Sequence, residues 1–166
     1  MAKRIQISGI SAANIDNAVR ELREYADWVA RKETELLTKL AERGKSVAAI
    51  KFASAQYDGT NDVSVRVDSN GNTAVIYAEG NAVAFIEFGS GAALGEGHPD
   101  AGKHGLGPGT WSTGESGKGH WDDPNGWYYA HGKKSHGNPP AMAMWSAVQT
   151  MTEELTTIAR EVFGTA

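Results

Sequence analysis

The chain has 166 residues, 40% of them hydrophobic, enough for one well-buried core and short for two domains, so residues 1–166 read as a single domain. Its net charge of −4 is uneven, with ten Lys/Arg against seven Asp/Glu in residues 1–56 and six against thirteen in residues 57–166, which disfavours a dedicated nucleic-acid binder with a cationic patch. The chain contains no cysteine, which excludes disulfide frameworks and thiolate metal sites, and it has no apolar run of membrane-spanning or signal-peptide length.

From Asn14, the residues Ile15, Ala18, Val19, Leu22, Ala26, Val29, Leu36, Leu37 and Leu40 recur at three- and four-residue steps, predicting an amphipathic helix of about thirty residues. Ser11 or Asn14 can cap it, and Gly44 occupies a position suited to a left-handed helix stop. A second, shorter helix is predicted over residues 46–56, giving a helical region at 14–56. In the region 57–88, Val63, Val65 and Val67 alternate with polar residues, Asn70-Gly71 marks a turn, and Thr73–Glu79 is again rich in strand formers, predicting a hairpin. Residues 81–88 (NAVAFIEF) fit either a third strand or one short helical turn.

Between Gly89 and Asn138 lie fourteen of the twenty glycines, all five histidines and three of the five tryptophans, with no sustained period, so a long loop is predicted over residues 89–138. Pro139-Pro140 suits a helix entry, and Trp145, Val148, Met151, Leu155, Ile158 and Val162 mark the apolar face of a last helix within residues 139–166. The expected architecture is α+β: a long N-terminal helix and a C-terminal helix packed on a small antiparallel sheet, with a long Gly/aromatic-rich loop.

The loop offers several apparent catalytic signals. Thr113–Trp121 (TGESGKGHW) contains the Gly117-Lys118 pair of a phosphate-binding loop, yet Ser112 stands where the first glycine belongs and Gly119 replaces the magnesium-binding hydroxyl. Phe88-Gly89-Ser90-Gly91 lacks the first glycine of a nucleophile elbow. Asp122-Asp123 precedes Pro124-Asn125-Gly126 and reads as a turn. His98, His104, His120, His131 and His136, with Asp100, Asp122 and Asp123, could supply a metal-dependent hydrolase, although their spacing matches no ligand pair held on one helix face. Trp111, Trp121, Trp127, Tyr128 and Tyr129 suit a protein partner better than a rigid sugar platform, because glycine surrounds them. No catalytic residue, metal ligand or cofactor is assigned.

Two segments carry a resemblance to a known family: Asn81–Gly91 (NAVAFIEFGSG) and Asn138–Val148 (NPPAMAMWSAV). They resemble the signature segments of the neck or tail-completion components of long-tailed bacteriophages. In that family a helical region and a hairpin lead to an A-x-[FYI]-[VI]-E-[FY]-G-[ST]-G segment, a variable Gly-rich loop, and a proline-initiated helix. Ala84 to Gly91 fit the first segment nearly in full; in the second, Ala143 stands where a further proline is common. Gly126–Gly132 (GWYYAHG) is similar to the loop in the branch from phages of Gram-positive hosts. The resemblance implies no enzyme, but a virion protein assembled in the host cytoplasm as a homo-oligomeric ring, with a hexamer expected, at the head-to-tail junction. Its implied neighbours are the connector, other neck proteins, and the tail terminator or tail tube, with DNA only passing through the channel and no membrane involved. The assembly surface is expected to include Phe85, Glu87, Phe88, Trp111, Trp121, Trp127, Tyr128, Tyr129 and Trp145. Glu87 is expected either to face solvent or to pair across a subunit boundary with an arginine such as Arg66 or Arg160.

Overall fold

The computed structural model describes residues 9, 11–57, 59–104, 127–128, 134–135 and 137–164. In chain order these form α1 (Ala12–Ser54), β1 (Ser64–Ser69), β2 (Ala74–Glu79), α2 (Val83–Glu87), 3-10 turns at Gly91–Ala93 and Ala101–His104, β3 (Trp127–Tyr128), β4 (Lys134–Ser135) and α3 (Ala143–Gly164). The layout is α+β, with the two long helices beside a two-stranded antiparallel sheet.

α1 is one helix of 43 residues, about 64 Å long at 1.5 Å per residue. Its N-terminus is capped as the sequence suggests, with the Ser11 hydroxyl accepting from the Asn14 N–H at 3.3 Å. The predicted break at Gly44 does not occur. Gly44 is buried in mid-helix, and a Cβ there would lie 2.6 Å from both Ile76 Cδ1 and Met151 Sδ. Tertiary contact thus explains this glycine: it lets α1 approach β2 and α3 together. The helix stops instead after Ser54, where the Asn61 side-chain amide donates to the Phe52 carbonyl at 2.8 Å.

β1 and β2 pair with Val65 opposite Ala78 and Val67 opposite Ile76; these residues are half-buried toward the helices, while Ser64, Arg66, Tyr77 and Glu79 lie on the exposed face. Arg66 and Glu79 form an ion pair on that face. The connection is a four-residue loop, Asn70 to Thr73, in which the Asn70 carboxamide oxygen accepts from the Asn72 and Thr73 N–H groups at 3.2 and 2.9 Å. Thr34 Oγ1 donates to the Gly71 carbonyl at 3.1 Å and fastens this turn to α1.

α3 runs antiparallel to α1. Arg43 makes a bidentate pair with Glu154 at 2.8 and 2.7 Å, and Trp28 meets Phe163 edge-on with ring centroids 5.9 Å apart. The core gathers where α1, α2 and α3 converge, around Ala48, Phe52, Ala82, Ile86, Ala143 and Ala147. Small residues at four of these positions let the helices approach closely around Phe52 and Ile86, each burial of a large apolar side chain contributing about 1.5–3 kcal/mol. Among the described residues, no helix is long and apolar enough to cross a membrane.

Candidate functional site

Residues 81–88 contain the short helix α2 (Val83–Glu87), resolving the ambiguity of the sequence in favour of the helical turn. Its start is organised by Asp62, whose carboxylate accepts from the Asn81 and Ala82 N–H groups at 2.8 and 2.9 Å. The Asn81 N–H, followed by that of Ala82, holds the Asp62 carboxyl below its ordinary range.

The next residue of consequence is Glu87, which is only 5% exposed. Its Oε2 accepts from the Met144 N–H at 2.8 Å and its Oε1 from the Trp145 N–H at 3.0 Å. These are the second and third residues of α3, whose first-turn N–H groups have no partner within the helix. Met142, immediately before α3, offers no capping oxygen and adopts a left-handed φ of 50°. Glu87 therefore caps α3 from 57 residues away, and its charge lies at the positive end of the helix dipole. Neither expectation for Glu87 matches this geometry: its carboxylate is buried, and its partners are backbone N–H groups and a histidine within the same chain. Arg66 pairs with Glu79, and Arg160 is exposed on α3.

The histidine is His98. Its Nδ1 accepts from the Asp100 N–H at 3.1 Å, so Nε2 carries the hydrogen and donates to Glu87 Oε1 at 3.2 Å. Phe88 lies against the His98 ring with centroids 4.4 Å apart and against His104 at 5.2 Å, and Trp145 meets His98 edge-on at 6.3 Å. Asp100 pairs with Lys103, which holds the Asp100 carboxyl below its usual range.

Backbone pairing closes the knot. The Ala141 N–H donates to the Ile86 carbonyl at 2.8 Å, and the Met142 N–H to that of Glu87 at 3.2 Å. Ser90 and Asn138 exchange N–H to carbonyl bonds of 2.8 and 3.2 Å, and Ser90 Oγ accepts from Asn138 Nδ2 at 3.3 Å. Two glycines make this approach possible. At Gly89, with φ 80°, a Cβ would stand 2.7 Å from the Asn138 carbonyl oxygen; at Gly137, with φ 93°, it would stand 2.1 Å from that of Ser90.

Of the residues named from sequence, Glu87, Phe88 and Trp145 thus share one site with His98, His104 and Asp100 of the candidate metal-ligand set. Phe85 lies beside it, half-buried and stacked on Tyr57 with centroids 6.5 Å apart. Trp127 and Tyr128 fall on β3, paired with Ser135 and Lys134 of β4. Trp111, Trp121 and Tyr129 lie outside the described residues, as do His120, His131, His136, Asp122 and Asp123. Sequence reasoning weighed His98 only as a metal ligand and Ser90 only as an elbow serine, and gave Asn138 and Met142 no role of their own. The available signal was Glu87 itself, a charge inside the apolar run FIEF, which must find donors if that run is buried.

The knot is chemically saturated: Glu87 holds three donors, both ring nitrogens of His98 are engaged, and among the described residues no buried side-chain polar atom lacks a partner. No group of three or more His, Asp or Glu residues converges among the described residues as a metal centre would require. The arrangement is suited to holding the two segments in a fixed relation. Comparison of the chain with protein-family models, with curated proteins and with solved structures found no match.

Proposed function

We propose that this chain is a structural component of a long-tailed phage or prophage, joining or completing the tail at the head-to-tail junction by assembling as a ring. One observation carries the reading: the two segments that resemble the family's signatures, residues 81–91 and 138–148, meet in a single hydrogen-bonded knot centred on Glu87. A shared motif pair whose members interlock is what a common architectural element requires. The knot also leaves Phe85, Phe88 and Trp145 half-buried, so part of each ring stays available to a neighbouring subunit. The acidic balance of residues 57–166 suits a channel through which DNA slides, since such a surface forgoes the counterion-release gain of phosphate binding.

The test is deletion of the gene from a producing lysogen, followed by electron microscopy of the lysate. Full heads and separate tails, rejoined on complementation, are expected. Normal infectious particles without the gene would overturn the proposal. Native mass spectrometry of protein purified without chelator adds a second readout: a metal-free closed-ring mass agrees with the proposal, whereas a stoichiometric metal on a stable monomer favours the hydrolase.

A further inference from the structure

The N-terminal part of α1 lies beyond the elements that cover the rest of the helix. With Arg43 against Glu154 and Trp28 against Phe163, the antiparallel register brings the last residue of α3, Gly164, opposite about Asp27. The hairpin reaches α1 no farther than its turn at Thr34. Residues 12–27 therefore run past both, over a length of about 24 Å.

This projecting segment is not polar all round. Ile15, Val19 and Leu22 are 47, 39 and 54% exposed, and Ala26 is exposed beside them. Their spacing of four, three and four residues is that of a heptad seam. Val19, Ala26, Glu33 and Leu40 recur every seven residues, as do Ile15, Leu22, Val29 and Leu36. The seam thus continues the face that carries Leu40 into the body, and the exposed Glu33 interrupts it where the body begins.

We infer that the seam of residues 15–26 is a self-association surface, on which the α1 helices of two copies pack antiparallel. The flanking charges select both the occupant and the direction. Asp16 and Arg23 follow the seam residues Ile15 and Leu22, both are exposed, and neither has an ion-pair partner among the described residues. An antiparallel pair with Val19 of one copy against Leu22 of the other layers Ile15 on Ala26 and sets Asp16 beside Arg23 of the other copy, twice by symmetry. A parallel pair would place Ala18 near Arg23 and Tyr25 near Ala30, with no charge pair. The surface is complementary to itself, and about two heptads put it among weak interfaces burying roughly 1,000 Å².

This inference is independent of the ring assembly proposed above, and sedimentation equilibrium of the full chain from about 1 to 500 μM tests it. A reversible monomer–dimer equilibrium with Kd of about 10–100 μM is expected. Leu22→Glu should abolish the dimer. Asp16→Arg and Arg23→Asp should each weaken it about tenfold, because each places like charges opposite one another, and the double variant should restore it. These residues are exposed, so circular dichroism should report an unchanged fold in every variant. A monomer throughout, a dimer that survives Leu22→Glu, or a charge swap that fails to restore association would overturn the inference. A closed ring indifferent to Leu22→Glu would overturn it too, while leaving the ring reading intact.

Discussion

Replacing Glu87 with alanine strands three donors at once: the N–H groups of Met144 and Trp145 and the Nε2–H of His98. Loss of an ordinary N-cap costs about 1 kcal/mol, and a donor left buried without a partner about 1–3 kcal/mol. Met144 and Trp145 are half-buried, so water recovers part of the loss, whereas the His98 side chain is only 2% exposed. The expected total is about 3–5 kcal/mol. Glu87→Gln keeps the shape but presents one oxygen and one amide donor to three donors and removes the charge from the helix end, for about 2 kcal/mol. Urea unfolding reads both as lower midpoints at unchanged slope, and in a chain of this size each kcal/mol lowers Tm by about 2–4 °C. If Glu87→Ala unfolds within about 0.5 kcal/mol of the parent, the clamp has no energetic weight and the reasoning fails. A double-mutant cycle with His98→Ala should give a coupling of about 1 kcal/mol, and a zero value would remove the histidine from the clamp.

Gly89→Ala should lower stability by at least about 2 kcal/mol in the same assay, because the new methyl group meets the Asn138 carbonyl and the Pro140 ring at a positive φ; a variant as stable as the parent would show that the approach of residues 89 and 138 is loose. Acid unfolding should depend on Asp62 and Glu154, both held below their ordinary ranges, Asp62 by the Asn81 and Ala82 N–H groups and Glu154 by its hydrogen bond to Arg43. A depressed folded value gives stability that is complete above the unfolded values near 3.8 and 4.5 and is lost as pH falls through the lower folded values. Asp62→Asn combined with Glu154→Gln should therefore flatten the stability curve below about pH 4.5, and an unchanged acid limb would contradict the assignment.

The long elements were legible because their signals are local. The three- and four-residue recurrence from Ile15 to Leu40 marks α1, Ser11 supplies its cap, and alternation around Asn70-Gly71 marks the hairpin. Gly44 misled for a physical reason: glycine signals both a left-handed stop and a close approach, and only the positions of Ile76 and Met151 show which applies. α2 was ambiguous because the eight residues 81–88 hold too little periodicity to separate a strand from its five-residue helix. The site was half legible: a carboxylate within FIEF advertises a need for donors, but those donors lie at the start of a helix beginning at Ala143. A cap supplied across 57 residues leaves no capping residue beside its helix, so the usual N-terminal signature is missing at Met142.

The reciprocal bonds between Ser90 and Asn138 also bring two distant stretches of the chain to one place. Every hydrogen bond of the knot is made by residues before His104 or after Gly137, so a segment of different length or sequence can be exchanged between residues 104 and 137 without removing one. The entry and exit geometry is set by Gly89, Gly137 and the Glu87 clamp, none of which depends on what is spliced in. Natural variation and deliberate grafting would therefore share the same port.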